Sequence, residues 1–122
     1  MIPQEYKKQS IIEDIILRPP KFKRGSRERK LCDCIGLIEI LYKNIYGGHF
    51  YINDKEFNKE IFDGFKITDT PDFFDVMFTR GETFFHLGIF LGEDKILNMR
   101  TEGIKISNLK EFKNKIIWLR KI

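Results

Sequence analysis

Cysteine is scarce in this sequence, with two residues among 122. They are Cys32 and Cys34, and a pair so close together cannot cross-link distant parts of the chain. A scaffold held together by disulfides is therefore excluded, because such scaffolds need several well-separated cysteines. The two positions instead favour thiol chemistry or metal binding.

Long apolar runs are also lacking. No stretch approaches the roughly 20 apolar residues that a membrane-spanning helix needs. The acidic residues Glu5, Glu13 and Asp14 interrupt the N-terminal region, and no apolar segment with a small-residue cleavage site follows. We therefore expect a protein without a signal peptide that is made in the cytoplasm and has no membrane partner.

A strong charge of one sign is missing too, because 22 basic residues are offset by 18 acidic ones for a net charge of +4. The densest basic block, Lys21 to Lys30, could contact an anionic polymer such as a nucleic acid, but a solvated loop is the commoner role of such a run. Nucleic-acid binding would also need stacking aromatic residues within a basic face. We therefore predict no nucleic-acid partner.

Apolar residues suffice for one hydrophobic core, because they make up 42% of the chain and include 12 phenylalanines. A chain of this length and composition is expected to form a single domain over residues 1–122. No internal repeat and no low-complexity segment divides it.

The first part of the sequence has helical periodicity. One helical face consists of Ile11, Ile12, Ile15 and Ile16. This helix must end at the Pro19-Pro20 pair, because proline disfavours helix in the residue before it. The basic block follows as a loop that turns at Gly25-Ser26. A second helix, apolar around most of its circumference, runs from Ile35 to Tyr46 and ends at Gly47-Gly48.

The pattern changes towards β-strands in the second part. Phe57, Ile61 and Phe65 recur every four residues and favour one more short helix, and a turn follows at residues 68–72. The predicted strands are Phe73–Phe78, Thr83–Leu91, Lys95–Met99, Gly103–Ser107 and Lys115–Arg120. Helices followed by strands predict an α+β fold, in which the central buried helix packs on an antiparallel sheet of about five strands.

The central helix begins at a thiol. Aspartate is a preferred N-cap residue, so we place Asp33 at the N-cap and Cys34 at the first helical position. The unpaired N–H groups and the positive end of the helix dipole favour a thiolate there, which makes Cys34 a candidate nucleophile. The alternative is that Cys34 is a small buried hydrophobic residue, as free cysteines often are.

His86 is a candidate general base. It shares one face of its predicted strand with Gly88, which leaves room for a close approach. A three-residue loop, Gly92-Glu93-Asp94, would place Asn98 of the next strand on the same face as His86. The side-chain amide could then orient the imidazole and fix its tautomer. A strand histidine with a purely structural hydrogen bond is the alternative.

These residues resemble a known family. DCIGL at 33–37 and HLGIFLGEDKIL at 86–97, followed by Asn98, are similar to motifs of the NlpC-type cell-wall cysteine peptidases, which belong to the papain-like superfamily. In that family a DCSGL or DCVGL segment carries the nucleophile and an HVGIYLG-like strand carries the base. Phe74 and Phe22 depart from the family pattern, replacing the glycine of a GDVVVF-like strand and an active-site tyrosine.

The resemblance implies a cysteine peptidase that hydrolyses an amide bond in the stem peptide of bacterial peptidoglycan, without a cofactor or metal. It implies Cys34 as the nucleophile, His86 as the base and Asn98 as the orienting residue. The candidate substrate-binding residues are Phe22, Asp33 and Phe84. Forms encoded in phage tail modules look most similar, so we expect other phage tail proteins as partners and action at the cell wall from a virion tail.

Two alternatives to a peptidase stay open. Cys32, Cys34, His49 and His86 could together bind a structural zinc ion, although a C-x-C pair alone is a poor match to zinc spacings. The chain could also be a catalytically silent domain of the same family that serves a phage tail as a structural or wall-binding component. Phe22 in place of tyrosine is the feature that favours this second alternative.

Overall fold

The computed structural model describes residues 4–47, 64–80 and 85–122. Within these ranges the chain forms two α-helices, α1 (Gln4–Leu17) and α2 (Cys34–Tyr46). The described strands are β1 (Lys21–Phe22), β2 (Leu31–Cys32), β3 (Phe65–Thr68), β4 (Val76–Arg80), β5 (Phe85–Gly92), β6 (Lys95–Arg100), β7 (Gly103–Asn108) and β8 (Ile116–Lys121). Neither described helix is long and apolar enough to cross a membrane.

The described residues fall into two compact units. One unit contains α1, β1, β2 and α2 together with residues 99–104, and the other contains β3, β4, β5, β8 and the remaining parts of β6 and β7. The interpretation of residues 1–122 as one domain stays a prediction.

Helix α1 follows the predicted isoleucine pattern with one exception. Ile11, Ile12 and Ile15 are buried, whereas Ile16 is 41% exposed. Successive helical residues are about 100° apart, so Ile16 lies beyond the edge of the arc that the other three share. The helix ends at Leu17, two residues before Pro19, as the sequence predicts.

Helix α2 is buried as predicted, with Leu37, Ile38 and Leu41 fully shielded from solvent. Gly47 terminates it with a φ of 110°, and its N–H donates to the carbonyl oxygen of Lys43 at 3.0 Å. A positive φ at this position suits glycine, which explains the end of the helix. The second glycine of the predicted stop lies outside the described residues.

The basic block is more ordered than the predicted loop. Its first residues form β1, which pairs in parallel with β2, and the N–H of Lys21 donates to the oxygen of Lys30 at 2.8 Å. The turn at Gly25 has a φ of 79°, in agreement with the sequence prediction. Two basic side chains form ion pairs within the unit, Arg27 with Glu39 at 2.5 Å and Arg29 with Asp14 at 3.1 Å. Sequence-local patterns do not predict such a parallel pair, because its partners are separated by the whole loop.

The second unit is built around an antiparallel sheet with the strand order β3-β8-β4-β5-β6-β7. The five predicted strands are present with shifted boundaries, and β3 is a sixth strand that the sequence analysis missed. Phe65 was expected to end a helix, but it begins β3 and pairs with Lys121 of β8. The remainder of that expected helix lies outside the described residues. Since β8 also pairs with β4, the last strand of the chain lies between β3 and β4 in the sheet.

The strand predicted from Phe73 begins only at Val76, because the chain turns at Phe74. Phe74 has a φ of 79°, a conformation that favours glycine and costs a residue with a side chain about 1–2 kcal/mol. Asp75 is buried beside it and accepts hydrogen bonds from the N–H of Asp72 at 2.7 Å and from the Arg120 guanidinium at 2.9 Å. This ion pair connects the start of β4 to β8.

The β5–β6 hairpin corrects the predicted loop length. Glu93 and Asp94 have φ values of 51° and 60°, so the loop has two residues in left-handed conformation, as a type I′ turn requires. Gly92 pairs with Lys95, and a β-bulge at Leu91 then shifts the register. The bulge adds one residue to β5. The two loop residues and the bulge residue together give the same side-chain alternation as a three-residue loop. Asn98 therefore lies on the predicted face despite the wrong loop length.

Candidate active site

Cys34 is the first residue of α2, and Asp33 caps the helix as predicted. The Asp33 carboxylate accepts two backbone hydrogen bonds, from the N–H of Gly36 to Oδ1 and from the N–H of Gly25 to Oδ2, both at 2.8 Å. Hydrogen bonds to both oxygens disperse the negative charge next to the Cys34 thiol. Asp33 thus joins the start of α2 to the preceding loop.

Gly36 allows this loop to lie directly against α2. A Cβ atom at Gly36 would be 2.5 Å from the backbone oxygen of Ser26 and 2.8 Å from the Cβ of Cys32. These distances are far shorter than van der Waals contact, and one of the opposing atoms is backbone, which cannot rotate away. The glycine therefore sets the path of the chain on both sides of Cys34.

Replacing Gly36 by alanine is expected to lower the free energy of unfolding by about 3 kcal/mol, because the loop must move to admit the methyl group. Urea denaturation measures this loss. Gly103→Ala is the matched control: its φ of 125° is strained for alanine, but no atom lies within 4 Å of the added Cβ. We expect that variant to lose only about 1 kcal/mol. Equal losses in the two variants would show that close packing at Gly36 is unimportant.

The two cysteines occupy different environments. Cys32 is fully buried, and this burial raises the pKa of its thiol to about 12, with a smaller contribution from the nearby Asp33 carboxylate. Cys34 is partly exposed at the helix N-terminus. Since the thiolate is the reactive form, Cys32 is the inert partner of the pair.

Iodoacetamide is expected to alkylate Cys34 at least about 100-fold faster than Cys32 at pH 7, because burial keeps Cys32 protonated and inaccessible. Peptide mass spectrometry over a time course gives both rates in the same sample. The Cys34→Ser variant should then incorporate almost no label while folded. Comparable labelling of both thiols would contradict the assignment of Cys34 as the reactive one.

The His86 imidazole is hydrogen-bonded to the side chain of Asn98, with 2.9 Å between Nε2 and Oδ1. The Asn98 amide nitrogen donates to the backbone oxygens of Ile96 at 3.3 Å and Lys105 at 3.0 Å. Because those oxygens only accept hydrogen bonds, the amide nitrogen must face them and Oδ1 must face the ring. Nε2 therefore carries the hydrogen in neutral His86, and the lone pair lies on Nδ1.

Buried contacts hold the Asn98 side chain in place next to His86. Its side chain is fully buried, and its amide nitrogen also lies 3.1 Å from the hydroxyl oxygen of Ser107, which is itself fully buried. Gly88 lets β6 lie close to β5, because a Cβ there would be 2.5 Å from the Ile96 side chain and 3.1 Å from the backbone oxygen of Leu97. Buried partners of this kind fix both the position and the tautomer of a functional histidine.

Three neighbours of this pair were missed by the sequence analysis: Ser107, Phe112 and Thr79. The ring of Phe112 stacks on the His86 imidazole with 6.1 Å between centroids and 19° between planes. Thr79 of β4 pairs directly with His86 across the sheet. Side-chain alternation along β4 predicts which face of the strand Thr79 occupies. It does not predict that β4 pairs with β5, which depends on the tertiary structure. No local pattern marks Phe112, which follows a 3-10 turn at Leu109–Glu111.

The other predicted site residues are less well defined. Phe22 is half-buried in β1, where it pairs with Cys32 of β2. Phe84 and His49 lie outside the described residues.

Cys34 belongs to one unit, whereas His86 and Asn98 belong to the other, so the pairing of thiol and imidazole stays a prediction. No group of three or more potential metal ligands occurs among residues 4–47, 64–80 and 85–122.

Comparison with known proteins identifies the class to which this fold belongs. A model of the NlpC/P60 family matches residues 20–120. The match covers most of the sequence, and the chain belongs to the NlpC/P60 family. A comparison with curated proteins gave no match.

Solved structures share the fold. NlpC1 and NlpC2 from Trichomonas vaginalis superpose with TM-scores of 0.65 and 0.71 at 15% and 11% identity, covering 84% and 94% of this chain. The chain spans only 38% and 46% of those proteins. The NlpC/p60 domain of the peptidoglycan hydrolase SagA gives a TM-score of 0.64 at 14% identity, covering 91% of this chain and 97% of that domain. The α+β, papain-like prediction is thereby confirmed, with six strands in the main sheet.

Proposed function

We propose that the chain is a cysteine peptidase that hydrolyses an amide bond in the stem peptide of peptidoglycan. The observation that carries this proposal is the hydrogen bond between His86 Nε2 and Asn98 Oδ1, because it orients the ring and places the hydrogen of the neutral imidazole on Nε2, the tautomer in which Nδ1 acts as the base. Membership of the NlpC/P60 family and the thiol at the start of α2 support it.

In the first step, Nδ1 of His86 takes the proton of the Cys34 thiol, and the thiolate sulfur attacks the carbonyl carbon of the scissile amide. A tetrahedral intermediate forms with its negative charge on the former carbonyl oxygen. The backbone N–H of Cys34 and a neighbouring donor at the helix N-terminus would stabilise this oxyanion. Because Asn98 keeps its bond to Nε2–H, the imidazolium stays oriented while it carries the second proton.

In the second step, the imidazolium gives its Nδ1 proton to the leaving nitrogen, and the carbon–nitrogen bond breaks. A thioester between Cys34 and the acyl part of the peptide remains. Water then attacks this thioester while His86 takes one of its protons. The carbon–sulfur bond breaks, and the imidazolium returns that proton to the sulfur, which regenerates the thiol. The net reaction consumes one water and yields a carboxylate and an amine.

Two observations of different kinds support the proposed substrate class. The similar SagA domain belongs to a peptidoglycan hydrolase. The sequence motifs resemble the wall peptidases whose usual target is the bond after D-glutamate. We therefore propose this stem-peptide bond as the substrate, with Phe22, Asp33 and Phe84 near it.

The test is incubation of the full chain with purified peptidoglycan, followed by mass spectrometry of the soluble products. We expect stem-peptide fragments that contain one added water and a new amino terminus. Protein alkylated with iodoacetamide beforehand should release none. If the untreated chain sediments with peptidoglycan but releases nothing, it is a silent wall-binding domain and the peptidase proposal fails.

Association with a phage tail and action at the cell wall from a virion are further proposals, which rest on the motif resemblance alone. Mass spectrometry of purified tail particles made together with this chain would test them. Absence of the chain from particles that contain their other tail proteins would reject the tail location without affecting the peptidase proposal.

A further inference from the structure

An open pocket lies in the unit that contains α1, β1, β2 and α2, next to the end of α1 and the β1–β2 pair. It has a volume of about 540 Å³, and its described lining includes none of the predicted site residues. Four of the six described lining residues are basic, and three of those four belong to the basic block 21–30. The lining consists of Arg18, Pro19, Lys21, Arg29, Lys30 and Leu31.

The β1–β2 register separates this basic pocket from the core. Lys21 pairs with Leu31, and Phe22 pairs with Cys32. Neighbouring residues along a strand point to opposite faces, whereas paired residues on adjacent strands share a face. Lys21 and Leu31 therefore face the pocket, and Phe22 lies on the opposite face together with the fully buried Cys32. The pocket is thus separate from the surface that carries Phe22, a candidate substrate-binding residue.

Asp14 orients the two arginines of the pocket. Its carboxylate accepts hydrogen bonds from Arg18 Nε at 2.9 Å and from Arg29 Nη2 at 3.1 Å. These bonds lower the pKa of Asp14, so its side chain stays ionised. Each guanidinium group carries five N–H donors, and Asp14 uses only part of them. Both arginines are therefore held in place with donors left for an anion.

The two lysines add positive charge that no carboxylate in contact offsets. Lys21 and Lys30 are exposed, and neither forms an ion pair with any residue in the ranges 4–47, 64–80 and 85–122. The backbone N–H of Lys21 donates to the oxygen of Lys30 at 2.8 Å, which keeps the two positions side by side. Four cations with one contacting carboxylate, Asp14, leave an excess of positive charge that attracts anions.

We propose that the basic pocket binds the phosphate groups of an anionic glycopolymer in the cell wall. The oxygens of a tetrahedral phosphate point in several directions, so one group can contact cations on several sides of a pocket. The planar fork of arginine matches two such oxygens, and lysine is also a common phosphate ligand. The location of the polymer in the wall rests on the proposed function, whereas the affinity for phosphate rests on the pocket alone.

The apolar residues of the pocket favour a sugar or polyol chain over a nucleic acid. Pro19 and Leu31 can pack against the C–H groups of a sugar or polyol, but they cannot stack on a base as aromatic residues do. The pocket is also larger than one phosphate needs, which leaves room for the units on either side of it. Binding of a wall polymer here would keep the chain close to its proposed substrate and raise the local concentration of that substrate.

The test titrates the full chain with poly(glycerol phosphate) and measures binding by calorimetry, at low ionic strength and again with added salt. The double variant Lys21→Gln/Lys30→Gln removes two charges from the pocket and leaves the ion pairs of Asp14 intact. We expect its dissociation constant to be about tenfold higher than that of the wild type, with a weaker dependence on salt. Lys66→Gln/Lys113→Gln is the matched control, because both lysines are exposed in the other unit. The same change in net charge should alter binding there by less than about twofold.

A second double variant distinguishes a loss of charge from a loss of structure. Lys21→Arg/Lys30→Arg keeps both charges and should bind poly(glycerol phosphate) as the wild type does, with an unchanged melting temperature. Equal weakening of binding by the pocket variant and by the control would show attraction by net charge alone and would overturn the site. Failure of the wild type to bind the polymer would overturn it as well.

Two other polymers test the chemistry of the ligand. Tighter binding of single-stranded DNA than of poly(glycerol phosphate), at the same phosphate concentration, would assign the pocket to nucleic acid and reject the proposal. Equal binding of polyglutamate would reject the preference for phosphate. The titrations contain no peptidoglycan, so a chain that binds poly(glycerol phosphate) through the pocket but releases no peptide fragments would support the pocket and reject the peptidase. A chain that releases fragments without binding the polymer would reject the pocket alone.

Discussion

Replacing Cys34 by alanine is expected to abolish fragment release from peptidoglycan, with a loss of at least about 10⁴-fold in rate. The physical reason is that the methyl group cannot form the thioester on which both halves of the reaction depend. The fold should be retained, because Cys34 is only partly buried and Asp33 still caps the helix. Rates of fragment release and a urea denaturation curve of the same preparation measure the two expectations.

Cys32→Ala is the matched control for this experiment. It removes the same atoms from a cysteine two residues away, in a fully buried site, so we expect a stability loss of about 1 kcal/mol and nearly unchanged hydrolysis. Equal hydrolysis by Cys34→Ala and wild type would exclude Cys34 as the nucleophile. Loss of hydrolysis in both variants, with bound zinc lost from both, would favour the structural zinc site.

Replacing His86 by glutamine is expected to reduce fragment release by about 10³-fold, the contribution typical of a positioned acid–base group. Glutamine has a similar size and can still bond to Asn98, but its amide cannot accept and return a proton at neutral pH. Alkylation of Cys34 by iodoacetamide at pH 7 should also become slower, because in the proposed mechanism the His86 imidazolium is the cationic partner of the thiolate. Both rates can be measured on one preparation.

His49→Gln is the control, since His49 is the other of the two histidines in the chain. The peptidase proposal expects this variant to hydrolyse peptidoglycan as the wild type does, whereas the zinc alternative expects both histidine variants to lose metal. Wild-type hydrolysis by His86→Gln would remove the imidazole from the mechanism and leave its bond to Asn98 as a structural feature.

The predictions that succeeded rest on interactions within one element. The N-cap at Asp33, the end of α2 at Gly47 and the buried face of α1 each depend on residues within a few positions of one another. Capping, backbone conformation and helical period act over that range, so the sequence displays them directly. Ile16 fell outside the buried arc because four isoleucines span a wider angle than one contact face.

The β5–β6 hairpin shows how a correct placement can follow from a wrong detail. The sequence predicts three loop residues, whereas the hairpin has two loop residues and a bulge at Leu91. Side chains alternate between the two faces of a strand. The face that Asn98 occupies therefore depends only on whether the number of loop and bulge residues together is odd or even. Either arrangement brings Asn98 to His86, and the choice between them depends on packing that local sequence does not reveal.

The missed features all depend on contacts between different elements. Strand β3 exists because β8 pairs with it, and Thr79 lies next to His86 because β4 pairs with β5. Phe112 reaches the imidazole from beyond β7. Contacts of this kind are selected by the packing of the whole unit, which leaves no periodic signal in either partner.

The sequence by itself determined the α+β class, the capped helix with Cys34 at its start, and the two residues, His86 and Asn98, that meet in the sheet. Those features follow from backbone chemistry and from side-chain alternation along single elements. The tertiary structure alone decided the strand order, the tautomer of His86 and the position of Thr79 across from it. These features depend on which surfaces are buried together. Burial removes water from a polar group, and only then does a formed or a missing hydrogen bond strongly change the free energy of the fold.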